Sequence, residues 1–372
     1  MTEVVIFAPS PVLTVTVEDH PDGADVHLHA GGQGVWQARM LLRMGVKVAM
    51  CCVLSGESGR VLRHLLADAG IRVIAVERSA RGGVYVHDRR GGERVRIVET
   101  GGEPIARHDL DELYGQTLRE GLDASLVLLS GPAGKDTLPA DIYRRLASDF
   151  RHGGRRVIVD LAGDRLNAAL AGGVTVVKVS DHELLEDGRI QADHTDQLIA
   201  AMHRLNEEGA KVVIVTRAGR PLLVLAEHEL IEVTPPTFEV ADTSGAGDSL
   251  TAGVAASLAT GGSLIDAVTL GAAAGALNVT RHGRGTGDAE AITRLRKLVR
   301  VRTVGSEAES AAKLSPAELA THVTEKNRGK DATPPASTAP AGTETLSAEP
   351  PTAETQTATA QTPRAQTSSA EK

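Results

Sequence analysis

Asp242-Thr243-Ser244-Gly245-Ala246-Gly247-Asp248 opens a stretch of small and apolar residues, Ser249 to Ile265, that carries no charge. Two glycines flanking an alanine let the backbone turn tightly and present successive N–H groups. At the start of a helix, those groups and the helix dipole make a site for an anion. Asp248 then falls in the first turn, beside that site. A carboxylate there can take the proton of an attacking hydroxyl while the N–H groups hold developing phosphate charge. The same residues also fit a plain helix start with a dipole-matched Asp. The uncharged stretch is broken by Gly253, Gly261 and Gly262 and is rich in Ala and Thr. It falls short of the roughly 20 strongly apolar residues of a membrane span. Close-packed soluble helices across Gly245 to Val279 are the expectation.

Upstream, short β-branched runs recur at Lys47–Val53, Val73–Val76, Leu126–Leu129, Val157–Val159, Val174–Val177 and Val212–Val215, after a first run at Val4 to Phe7. Helical stretches lie between them: Val35–Met44, Gly59–Ala69, Asp109–Gly121, Pro139–Phe150 and Asp193–Glu208. Apolar strands separated by helices predict an α/β protein with a mostly parallel sheet covered on both faces. Leu13–Val17 with Val26–Ala30, and Gly83–His87 with Val95–Val98, instead alternate apolar and polar residues. They predict a small separate sheet with one wet face. In open parallel sheets ligands bind beyond the carboxyl ends of the strands, so functional residues belong just after these runs.

Composition narrows the function classes. The chain has 372 residues, 41% of them apolar, and a net charge of -8. An acidic chain with 2% aromatics lacks both the basic surface and the stacking platforms of nucleic-acid binding. Cys51 and Cys52 are adjacent in an apolar run and read as core thiols of a reducing compartment, with no disulfide framework or four-ligand zinc site. No secretory signal is read at the N-terminus, so a cytoplasmic location with no membrane association is expected. His27-x-His29 lacks the further ligands of a metal site. Composition changes near Gly305. From Asp331 to Lys372, Leu346 is the only large apolar residue, and such a segment cannot offset its ordering entropy. The reading is therefore a folded domain over 1–304, with small-sheet segments near 11–30 and 80–100. A low-complexity, mostly disordered tail follows over 305–372, with a short helix at Ser315 to Glu325.

The Asp-Thr-Ser-Gly-Ala-Gly-Asp segment resembles the C-terminal signature of the PfkB/ribokinase carbohydrate kinases. Three further landmarks follow the family's order: Gly31-Gly32-Gln33-Gly34-Val35-Trp36-Gln37-Ala38-Arg39; Lys178-Val179-Ser180-Asp181-His182-Glu183-Leu184; and Val213 to Thr216 with Ala218-Gly219. Arg281-His282-Gly283 ends the pattern. The resemblance covers roughly Val4 to Val299 and is nearest the 1-phosphofructokinase and tagatose-6-phosphate kinase subgroup. It implies a ribokinase-like three-layer α/β/α sandwich with a small β-sheet lid, and transfer of the ATP γ-phosphate to a hydroxyl of a sugar or sugar phosphate. It makes Asp248 the general base and Gly245, Ala246 and Gly247 the anion hole. Asp242, Thr243, Ser244, Thr216, Gly219, Asn278 and Glu183 would bind ATP, with Asn278 near the adenine. Glu183 would organise Mg²⁺ through its waters. Thr14, Gly31, Gly32, Gln33 and Arg81, together with Asp248, would bind the acceptor. A homodimer clasped through the lid is also implied.

The departures fall on the acceptor side. Thr14 stands where the family has a sugar-binding Asp. Gln33 and Tyr85 stand where the subgroup has lysines, and Trp36 where it has Asn. Gly131-Pro132-Ala133-Gly134 replaces Gly-Ser-x-Pro, and Ser180 replaces the Asn before Glu183. Two missing lysines remove charge-assisted contacts of about 1.5–3 kcal/mol each, which predicts weak use of a phosphorylated acceptor unless Arg81 and Lys135 compensate. Two other readings stay open: a kinase for a nucleoside or other non-sugar acceptor, to which Trp36 would offer a stacking face, and a catalytically weak regulatory or binding protein on the kinase fold.

Overall fold

Strand β1 (Glu3–Phe7) is buried on both faces: Val4 and Ile6 enter one apolar cluster, Val5 and Phe7 the other. This double burial organises the computed structural model, which describes residues 3–134, 136–281 and 283–304. The tail expected over 305–372, its helix at Ser315 to Glu325, and Lys135 lie outside the described residues.

The remaining strands are β2 (Val12–His20), β3 (Gly23–Gly31), β4 (Lys47–Ser55), β5 (Arg72–Arg78), β6 (Val84–Asp88), β7 (Val95–Thr100), β8 (Leu126–Ser130), β9 (Val157–Asp160), β10 (Val174–Ser180), β11 (Ala210–Arg217), β12 (Arg220–Ala226), β13 (Glu229–Thr234) and β14 (Arg300–Val304). The helices are α1 (Gln33–Arg43), α2 (Gly56–Asp68), α3 (Arg107–Asp123), α4 (Asp141–His152), α5 (Gly163–Gly172), α6 (Asp181–Glu186), α7 (Thr195–Glu207), α8 (Ala246–Ala259), α9 (Leu264–Asn278) and α10 (Ala289–Arg296). No helix among the described residues is long and apolar enough to cross a membrane.

A 10-stranded sheet runs β14-β13-β12-β11-β10-β9-β8-β1-β4-β5. From β11 to β5 every neighbouring pair is parallel, and from β11 to β14 every pair is antiparallel. Leu41, Leu62, Val254 and Ala273 cover one face from α1, α2, α8 and α9; Leu113, Leu146, Leu166 and Leu198 cover the other from α3, α4, α5 and α7. The three-layer sandwich is thus present. Its antiparallel extension is not foreshadowed by the strand–helix alternation. Two-residue turns join β11 to β12 and β12 to β13, with Ala218, Glu227 and His228 at positive φ, positions where Gly or Asn usually announces a hairpin, while β14 joins the edge only after α10.

Helices α8 and α9 touch backbone to backbone. A Cβ on Gly253 would lie 2.6 Å from the Gly271 Cα, so the small-residue composition noted above is what lets the pair pack so close. The small sheet has the order β3-β2-β6-β7. Its pairing sets Thr14 beside His29 and Tyr85, and Thr16 beside His27 and His87. On its other face Val15 pairs with Leu28 and Val86, and Val17 with Val26.

Candidate active site

Gly245 caps α8 with φ 81, a left-handed conformation that turns the chain sharply into the helix. The Ala246 N–H donates to Thr243 O at 3.3 Å. The N–H groups of Gly245, Gly247 and Asp248 find no acceptor among the described residues. Of the three residues expected to form an anion hole, Gly245 and Gly247 thus have open N–H donors, as does Asp248, while the Ala246 N–H is used within the turn. Asp242 accepts from Ser244 N at 2.8 Å and shapes the turn, while Thr243 is exposed.

Asn278, expected near the adenine, is held inside the fold by its side-chain amide. It is 1% exposed, and its Nδ2 donates to Ser244 O at 2.9 Å while its Oδ1 accepts from Ser249 Oγ at 3.0 Å and from Gly285 N at 3.3 Å. Both polar atoms of the amide are thus engaged within the protein. Asn278 ties the turn before α8 to the end of α9.

Beneath this turn lies a buried polar network. Asp160, at the carboxyl end of β9, accepts from Lys178 Nζ at 3.1 Å, Gln37 Nε2 at 3.1 Å and Thr251 Oγ1 at 2.8 Å. Ser130 donates in turn to Gln37 Oε1. Burial, then the Asp160 carboxylate, raises the Asp248 pKa to about 7, against the opposing pull of Lys178 and Arg284. Burial draws the Lys178 pKa down, but the Asp160, Glu183 and Asp248 carboxylates outweigh it and raise the value overall. Lys178 stays charged, and Asp248 is poised near neutrality, as a general base requires.

A cleft of about 740 Å³ lies between the small sheet and the start of α1. Thr14, Gly31, Gly32 and Gln33, the residues expected to bind the acceptor, all line it. Gln33 Oε1 accepts from Gly131 N at 2.7 Å and Ser10 Oγ from Ala133 N at 2.9 Å. These two side chains pin the altered 131–134 loop. Arg81 does not line the cleft: it is exposed in the turn before β6, its backbone bonded to Glu103. Cations that do line it are Arg39, Arg89, Arg94 and Arg284. The Arg284 guanidinium lies 4.3 Å above the Trp36 ring.

Of the residues expected to bind ATP, Thr216 is the second-to-last residue of β11 and Gly219 lies exposed in the β11–β12 turn. Ser180 and Glu183 form a capping box at α6. Glu183 Oε2 accepts from Ser180 N at 2.7 Å and Ser180 Oγ at 2.8 Å, leaving Oε1 open. The helix-cap and metal-organising readings of Glu183 thus use different oxygens.

The model of the pfkB family carbohydrate kinases matches residues 2–291. The chain belongs to this family. The ATP-dependent 6-phosphofructokinase isozyme 2 of Escherichia coli (strain K12) is 30% identical over 280 residues, covering 73% of this chain and 89% of that one. The 1-phosphofructokinase of Bacillus subtilis (strain 168) is 26% identical over 294 residues, covering 77% and 95%. The crystal structure of Escherichia coli phosphofructokinase-2 with fructose-6-phosphate aligns with a TM-score of 0.70 at 25% identity, over 80% of this chain and 99% of that one.

As a pfkB-family carbohydrate kinase, the protein is an ATP-dependent phosphotransferase with a hydroxyl acceptor. Several residues of its site escape a motif-based reading. Asp160 had a usable signal, a lone acid directly after the apolar run Val157–Val159 at a strand's carboxyl end. Arg94 and Arg284 had none, because they come from a lid turn and from the loop after α9.

Proposed function

We propose that Asp248 activates an acceptor hydroxyl for attack on the γ-phosphorus of ATP. The acceptor oxygen gives its proton to the Asp248 carboxylate, forms the new P–O bond, and ADP leaves with the old bridging oxygen. Charge on the transferring group is held by the N–H groups of Gly245, Gly247 and Asp248, with the Lys178 ammonium beneath. The observation that carries this reading is the union, in one turn, of open amides and a carboxylate raised to about 7. Thr216, Gly219 and the Asp242–Ser244 turn form the nucleotide side. Thr14, Gly31, Gly32 and Gln33 shape the acceptor side.

Mg²⁺ fits this site as a water-held ion. No group of three or more His, Cys, Asp or Glu among the described residues is placed to hold a metal directly. Glu183 keeps one open carboxylate oxygen, and Mg²⁺ commonly retains several waters beside one or two carboxylates and substrate phosphates. When bound, it would neutralise phosphate charge. Glu183 is assigned to order its waters.

The lid's outer face supports a homodimer. Val26, Leu28 and Val98 are 57%, 47% and 45% exposed there, on a face whose neighbours are also apolar, and a second copy of the sheet would bury them. Burial raises both cysteine thiols, Cys51 to about 12. Inert free thiols suit the cytoplasm. The nucleoside alternative loses support, since Arg284 covers one face of Trp36.

An acceptor screen with ATP, reading ADP release against neutral sugars, sugar phosphates and nucleosides, tests the function. Acceptor-dependent ADP release that disappears in Asp248→Asn is expected. No release with any acceptor, or release that survives the substitution, rejects it.

A further inference from the structure

The acceptor cleft holds more positive charge than its acids balance. Arg39, Arg94 and Arg284 line it, and none makes an ion pair with an acid among the described residues. Arg89 is engaged with Glu18 at 3.7 Å. Arg284 is the most constrained. Its guanidinium is stacked on Trp36, its stem lies against the cap of α8, where a Cβ on Gly245 would be 3.2 Å from Arg284 Cγ, and its Nε–H is buried with no acceptor. Burial, then repulsion from Arg94, holds the Arg284 pKa below the usual guanidinium value, and burial with Arg43 does the same at Arg39.

We propose that Arg284, braced on Trp36, is a specificity residue that binds an anionic group of the acceptor, a phosphate or a carboxylate, with Arg94 and Arg39 completing the pocket. The inference rests on the assignment of the cleft as the acceptor site. A guanidinium braced over an indole face can still offer its N–H donors for paired hydrogen bonds to an oxyanion. An anion placed between Arg284 and the lid-borne Arg94 replaces their mutual repulsion with two attractions. A neutral sugar would occupy the same space and leave a buried donor and three cations unmatched, and such a mismatch discriminates strongly between ligands. Weak use of phosphorylated acceptors followed from counting charge at Gln33, Tyr85 and Arg81. That count omits Arg284, which reaches the cleft from the loop after α9.

Calorimetric titration of the full chain at fixed ionic strength decides the matter, with fructose 6-phosphate, fructose 1-phosphate, gluconate and fructose as probes and ADP as the control. At least one anionic probe should bind about tenfold or more tightly than fructose, and Arg284→Met should lose about that factor for it while keeping ADP affinity within about twofold. Arg284→Lys should recover part of the loss. The order of sugar phosphates and gluconate tells phosphate from carboxylate. Fructose binding as well as every anionic probe overturns the proposal. So does an Arg284→Met variant with unchanged anion affinity, or one that loses ADP binding equally. Arg94→Met, at an exposed lid position, serves if Arg284→Met fails to fold: a loss confined to the anionic probe supports the proposal, and no loss overturns it. Anionic probes that bind this way while no acceptor at all is phosphorylated by ATP would reject the catalytic reading of Asp248 and leave this one standing.

Discussion

Lys178 Nζ lies 3.1 Å from Asp160 Oδ1, the two residues being register partners at the carboxyl ends of β10 and β9. Both are buried. The lysine reaches up under α8, where a Cβ on Gly247 would come within 2.9 Å of Nζ. The pair therefore joins the sheet to the anion hole, and the Asp160 charge reaches Asp248. Replacing Asp160 by Asn leaves the buried ammonium unpaired, at a cost of about 3–5 kcal/mol. It also removes a charge that raises the Asp248 pKa. Asp160→Asn is expected to lower the melting temperature and move the acid limb of the rate profile to lower pH. Thermal unfolding and a pH–rate profile measure both, and an unmoved limb would separate Asp160 from the base.

The native enzyme should lose kcat/KM as pH falls through about 7, the value to which Asp248 is raised. The base works only when ionised, so rate rises with pH with unit slope and levels above that value. A profile still flat at pH 5.5 would exclude Asp248 as the titrating base.

Asp248→Asn keeps the shape of the side chain and removes the base. Turnover should fall by about 10²–10⁴ or more, with ADP binding retained. The folded pKa lies above the unfolded one. The carboxyl's contribution to stability is therefore full below the unfolded value of 3.8 and lost as pH rises through about 7. The variant should gain melting temperature relative to the native protein at pH 8 and show no such gain at pH 4. Calorimetry at the two pH values, beside steady-state kinetics, checks the pair of effects.

Leu28→Glu with Val98→Glu places charge on the apolar outer face of the lid, away from the cleft. Sedimentation should show the native chain as a dimer and the double variant shifted toward monomer, because burying an unpaired carboxylate is unfavourable. A native monomer, or an unshifted double variant, would remove the lid interface.

The fold was largely legible because periodicity and burial are local properties of the chain. The β-branched runs at Leu126–Leu129 and Val157–Val159 became β8 and β9 with small boundary changes, and the alternating segments became the four-stranded lid. The β11–β14 extension was not legible, since Glu227-His228 turns without a glycine and β14 reaches the edge only after three intervening helices. Within the site, Asp248 and Gly245 stand in one contiguous segment, so their spacing alone placed an acid beside a helix start.

What the sequence by itself determined is the phosphate-transfer turn and the layered scaffold, both encoded by neighbours along the chain. Only the tertiary structure decided the role of Asn278, the buried Asp160–Lys178 pair and the charge of the acceptor cleft. Asn278 spends its amide on Ser244 and Gly285, whose distance from it depends on how α9 meets α8. Trp36 and Arg284 are 248 positions apart (284 minus 36) and meet ring to guanidinium. Charge in a cleft is a sum over side chains that folding collects from distant segments, and no motif read along the chain contains that sum.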